Sequence, residues 1–182
     1  MKRQGVIALT QPVVFNVLHA VATSKLRIKP YTLLGVTLLG LFFLQYGYGI
    51  KFHWLAHWQH VTLYKQLTGF MLVGYLLLQW QLGMRKMRNK TSRLTRVHHL
   101  HKWQGALAPM IYYIHSMELG YAYQLLLSGV YFGNVVVGLF NPEMLNRLPR
   151  GYRTGWLIAH IGLAVLTLAL VLYHVYVTYW YS

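Results

Sequence analysis

Residues 101–115, HKWQGALAPMIYYIH, and residues 160–174, HIGLAVLTLALVLYH, decide the fold of this chain. Each stretch begins and ends on histidine with the same spacing. On an α-helix, fourteen residues turn the side chain through about 1400°, leaving it roughly 40° from its start after a rise of about 21 Å. Each stretch therefore presents two imidazoles from one helix face, one toward each side of a bilayer whose hydrocarbon core is about 30 Å thick. If the two helices lie parallel, His101 stands opposite His160 and His115 opposite His174. Paired imidazoles at two levels are the axial ligand set for two stacked haems.

The rest of the composition agrees with a membrane setting. The chain has 182 residues, 56% of them hydrophobic and 10% charged. That balance excludes an ordinary soluble domain. Lys and Arg number 17 against two acids, Glu118 and Glu143, for a net charge of +15. The basic residues fall in short runs at the ends of apolar stretches, as in the flanks of membrane helices. No basic face interleaved with stacking aromatics points to nucleic acid, and no nucleic-acid partner is expected. Cysteine is absent, which excludes disulfides, iron–sulfur clusters, thiol catalysis and a thiolate haem ligand together.

Five apolar stretches predict an all-α membrane bundle of about five transmembrane helices. They run from about Tyr31 to Tyr48, Val61 to Gly83, Arg96 to Leu119, Tyr121 to Phe140, and Gly155 to Tyr179. Residues 1–30 read as a cytoplasmic or interfacial N-terminal segment, because Gln4, Thr10, Gln11, Pro12, Asn16 and His19 interrupt any signal-peptide core. Residues 31–182 form the expected transmembrane domain. With the N-terminus inside, 15 of the 17 basic residues lie on the inner side and only Lys51 and Lys65 outside. The C-terminus then lies outside, and the two histidine stretches run parallel, as the haem pairing requires.

On each ligand face, Gly105, Ala108 and Tyr112 separate one histidine pair, and Ala164, Thr167 and Val171 the other. Small residues let a flat macrocycle approach a backbone, although they also serve direct helix packing. Pro109 is expected to kink its helix between the two levels. His98 and His99 point away from the His115 direction by about 100° and 160°, so His101 is the preferred inner ligand. Arg96, Lys102 and Arg153, with Arg150, are candidate cations for the propionates of an inner haem; plain positive-inside anchoring is their alternative role. His53, His57 and His60 form one face of a short interfacial helix flanked by Trp54 and Trp58. They could bind a metal ion, lie over the outer haem, shape an acceptor site, or merely form the polar side of that helix.

With these residues placed, the chain resembles the ferric-reductase-like transmembrane domain. That is the di-haem b core of ferric reductases and NADPH oxidases, and of the haem subunit of the methionine sulfoxide reductase system. The resemblance rests on the two histidine stretches quoted above, the basic loop before the first and the short turn after it. It covers about Val61 to Ser182. It implies that His101, His115, His160 and His174 are axial ligands of two b-type haems. The family typically has six spans where five are counted here, and its larger members carry flavin and nicotinamide domains. No G-x-G-x-x-G follows a strand in this chain, so the donor is expected to be a separate flavoprotein or a quinol.

The expected function is transmembrane electron transfer by the cytochrome b subunit of a hetero-oligomeric oxidoreductase system. Its expected location is the bacterial inner (plasma) membrane, with lipid around it and an acceptor on the outer side. A quinone-linked cytochrome b subunit of a respiratory dehydrogenase or reductase is the nearest alternative. A histidine-based metal or proton transporter is the alternative from another class, disfavoured by the near absence of membrane carboxylates.

Overall fold

The structure, a computed structural model, describes residues 28–87, 94–144 and 151–181. The N-terminal segment through residue 27, the basic residues Arg88, Lys90, Arg93, Arg147 and Arg150, and the side chains of Arg85 and Lys86 lie outside the described residues. All regular structure among the described residues is helical: α1 (Pro30–Gly47), α2 (His53–His60), α3 (Thr62–Met87), α4 (Leu94–His115), α5 (Tyr123–Leu139) and α6 (Tyr152–Trp180). A 3₁₀ turn at Pro142–Met144 follows α5. Pro30 opens α1, where its missing N–H leaves no donor unpaired.

Among the described residues, three helical segments are long and apolar enough to cross a membrane: α1, α5 with its following turn (Tyr123–Met144), and α6. The pair α2–α3, bent by 92°, raises the number to four if it is one span. These segments mark a membrane protein. Helix α4 is not among them, because Arg96, His98, His99, His101 and Lys102 crowd its first half. Its position explains how it tolerates them. It packs against α1, α3 and α5, so neighbouring helices shield much of its surface.

The core sits where those helices meet. Phe42, Leu72, Ala108, Tyr112, Tyr131 and Phe132 are buried together, drawn from α1, α3, α4 and α5. Ring centroids of Phe42 and Phe132 lie 4.7 Å apart, and those of Tyr112 and Phe132 4.8 Å apart. A second cluster joins Tyr31, Ala106 and Leu139. Here α1 comes so near α4 that a Cβ on Gly35 would stand 3.2 Å from the Ala106 Cα and run into the Leu139 side chain. Glycine at position 35 makes that approach possible.

Helix α4 ends at His115, four residues before the end expected from hydropathy. Ser116 stops it. Its hydroxyl donates to the Glu118 carbonyl at 2.7 Å and accepts from the Glu118 N–H at 3.1 Å, a local bond that competes with the helix. Gly120 and Ala122, both at positive φ, then reverse the chain into α5. Through Pro109 the helix stays continuous. Tyrosines donate to carbonyls on either side of it: Tyr75 to Gln104, and Tyr131 to Ala108 at 2.9 Å.

Candidate cofactor site

Helices α4 and α6 bring the histidines together pair by pair. The His101 and His160 ring centroids lie 6.1 Å apart with their planes at 81°. A metal between two imidazoles, with bonds of about 2 Å and about 1 Å more to each ring centre, also separates the centroids by about 6 Å. The Nδ1 atoms of both rings are buried without a hydrogen-bond partner. Each has a backbone carbonyl nearby, that of Gln79 for His101 and that of Asn134 for His160, outside hydrogen-bond geometry. Trp156 stacks on His160 at 5.3 Å and 13°, and its indole N–H is anchored on the Val137 carbonyl at 2.7 Å.

The second pair is held differently. The His115 Nδ1 lies 3.1 Å from the Thr68 hydroxyl, and the His174 Nδ1 lies 3.3 Å from the Tyr123 hydroxyl. Thr68 gives its one hydroxyl hydrogen to the Tyr64 carbonyl at 2.7 Å. It must therefore accept from His115, which places the proton on Nδ1 and leaves Nε2 bare. A bare Nε2 is the form an imidazole needs to bind iron.

The supporting groups reveal a repeat that hydropathy and histidine spacing alone do not show. Thr68 and Gln79 on α3 are eleven positions apart, as are Tyr123 and Asn134 on α5. Each pair faces two histidines fourteen positions apart on the following helix, in the same antiparallel order. Helices α3–α4 and α5–α6 are thus two hairpins in one register. Gly69 and Gly138 fit imidazoles against the supporting backbones: a Cβ there would meet the His115 Cε1 at 3.4 Å and the His160 Cε1 at 3.2 Å. Between the hairpins, α4 and α6 face each other without close backbone packing. At the His101–His160 pair, the two imidazoles and their separation are compatible with a metal group held between them.

The residues midway between the pairs do other work. Ala108 and Tyr112 belong to the aromatic core, and Thr167 is 1% exposed. All three are buried, so their surroundings in the bundle are already filled.

The basic candidates divide. The Lys102 ammonium bonds Glu143 at 2.5 Å and lies 5.5 Å from the centre of the Tyr31 ring, so it is already engaged. His98 contacts the other oxygen of Glu143 at 3.3 Å, and His99 lies beside Trp103. Arg96 and Arg153 are exposed. At the other end Lys51 bonds Glu118 at 2.5 Å, with both side chains in solvent, and Lys65 is exposed.

His53, His57 and His60 are exposed on α2, and among the described residues no three His, Cys, Asp or Glu side chains converge to hold a metal ion. Besides the buried Leu55, α2 engages the bundle through Gln59, which sequence reasoning passed over. Its amide donates to the Tyr113 and Ile114 carbonyls at 2.9 and 3.2 Å and accepts from the Met117 N–H at 3.2 Å. Tyr64 donates to the Ile114 carbonyl as well, at 2.9 Å. Together they satisfy carbonyls that the end of α4 leaves free. A glutamine amid exposed histidines and tryptophans was the available signal.

Comparison with family models, curated proteins and solved structures finds no match to this chain. The chemistry of the site therefore rests on its own residues.

Proposed function

We propose that the chain is a di-haem cytochrome b subunit that carries electrons across a membrane. The observation that carries this reading is the approach of the His101 and His160 rings to 6.1 Å across helices whose backbones do not pack closely. His101 and His160 would hold one b-type haem, and His115 and His174 the other. Haem supplies the reversible one-electron chemistry when bound. The protein would position the ligands and set the His115 tautomer through Thr68. Arg96 and Arg153 are exposed and would meet propionates at the first pair, whereas Lys102 would have to leave Glu143 to do so.

The reading takes α1, α2–α3, α4, α5 and α6 as five spans. Helix α4 crosses as the sheltered centre of the bundle in spite of its polar first half. The charge pattern supports an inner His101–His160 pair and an outer His115–His174 pair. Across a membrane negative inside, outward electron flow gains about 2.3 kcal/mol per 100 mV. A separate flavoprotein or quinol would donate, and an outer-side acceptor would receive. The broad exposed apolar surface of α6 suits lipid or a partner subunit. The resemblance to the ferric-reductase-like domain agrees with this assignment.

Purified protein should bind two haems per chain, extractable without covalent cleavage because no C-x-x-C-H site exists. A pyridine haemochrome assay and a reduced-minus-oxidised spectrum measure this. Colourless protein after expression with ample haem would overturn the reading in favour of a transporter.

A further inference from the structure

Resting on the di-haem reading, we propose that Thr68 and Tyr123 are positioning residues for the outer haem. They accept the Nδ1 protons of His115 and His174 and so present both Nε2 atoms to the iron. Thr68 carries the clearest part of the argument. Its hydroxyl hydrogen is committed to the Tyr64 carbonyl at 2.7 Å, so toward the His115 Nδ1, 3.1 Å away, it acts only as an acceptor. Thr68 is 7% exposed, so water has little access to replace it.

Tyr123 stands in the matching place on the other hairpin, 3.3 Å from the His174 Nδ1, with ring centroids 6.0 Å apart. A phenol can donate or accept. Accepting is the role that leaves the His174 Nε2 bare, and it repeats the arrangement at Thr68. The contrast with the first pair gives the inference its content. Among the described residues no hydroxyl reaches the buried Nδ1 atoms of His101 and His160, so hydroxyl support is confined to one level. A hydrogen bond from Nδ1–H makes an imidazole a stronger electron donor and favours the oxidised iron. Thr68 and Tyr123 therefore lower the potential of the outer haem and leave the inner one unaffected.

The test is redox potentiometry, followed through the visible haem bands, on purified Thr68→Val, Tyr123→Phe and Thr68→Ser proteins. Haem content is measured by pyridine haemochrome on each preparation. With two haems retained, Val and Phe should each shift one wave to higher potential and leave the other in place, while Ser restores the parent titration. Loss of one haem from Thr68→Val and its return in Thr68→Ser would also support the assignment. Two haems with unchanged potentials in both variants would overturn it, as would equal shifts of both waves. An absence of haem in the parent protein would overturn the underlying di-haem reading instead, so the two failures are distinguishable.

Discussion

The two histidine pairs have the same spacing but are held by different forces. At His115 and His174, hydroxyls on the neighbouring helices take the Nδ1 atoms. At His101 and His160, packing does the positioning: Trp156 lies flat on His160, Gly138 backs it, and both Nδ1 atoms are buried unpaired. A ring held by a hydrogen bond is sensitive to loss of the acceptor. A ring held by packing is sensitive to added volume. One sequence pattern thus yields a polar clamp at one level and a steric clamp at the other.

Under the di-haem proposal, the largest expected effect comes from removing the proposed ligands. His101→Ala or His160→Ala should abolish one haem, and His115→Ala or His174→Ala the other. Each single variant should retain about half the parental absorbance in the haem bands. His98 is occupied by Glu143, so it should not replace His101. The informative comparison is between His115→Ala and His160→Ala. If both lost the same haem and kept the other, the pairing across α4 and α6 would be wrong.

A smaller and graded effect should separate the clamps. A Cβ at Gly138 would stand 3.2 Å from the His160 Cε1, tighter than side chains normally pack, whereas at Gly69 it would meet His115 at an ordinary 3.4 Å. Gly138→Ala should lower haem occupancy at the His101–His160 level or broaden its bands. Gly69→Ala should leave the spectrum near that of the parent. Reversal of that order would show that packing is not what holds His160.

Much of this arrangement is legible in the sequence because it depends on period and spacing. All five expected stretches are helical, and the fourteen-residue interval does bring His101 to His160. The charge run beside His101 is legible too, but its meaning is not. Lys102 meets Glu143, which lies 41 residues further on, and only the tertiary fold brings them together. The Thr68 and Tyr123 supports are hidden for a similar reason. A lone Thr in an apolar helix looks like any other, and its partner is 47 residues away. Helix α4 shows the limit of hydropathy. Its suitability for the bundle centre comes from neighbours that its own composition does not encode.

Helix α2 offers a further contrast, between its three histidines and Gln59. Replacing His53, His57 and His60 together with Gln should leave haem content unchanged, because all three are exposed and none contacts the ligand helices in the described hydrogen bonds. Any effect should be confined to slower reoxidation by an outer acceptor. Gln59→Ala removes the amide from the Tyr113 and Ile114 carbonyls and should cost about 1–2 kcal/mol. The measurement is the midpoint of thermal haem loss. A full haem lost from the triple histidine variant would place an axial ligand on α2 and break the pairing.

The smallest effect should arise at Glu143, the acid that ties the turn after α5 to the start of α4. Lys102 and His98 both contact its carboxylate. Protonating that carboxylate removes the ion pair, so stability should decline as pH falls into the carboxylate range. The Glu143 side chain is 47% exposed, so screening limits the pair to less than about 1 kcal/mol. Glu143→Gln should lower stability slightly at neutral pH and flatten the acid decline. Loss of haem from the His101–His160 level, followed by absorbance during acid titration, reads both effects. Parallel acid curves for Glu143→Gln and the parent would show that another carboxyl governs the decline. Glu118 would then be the one to test, through its exposed pair with Lys51.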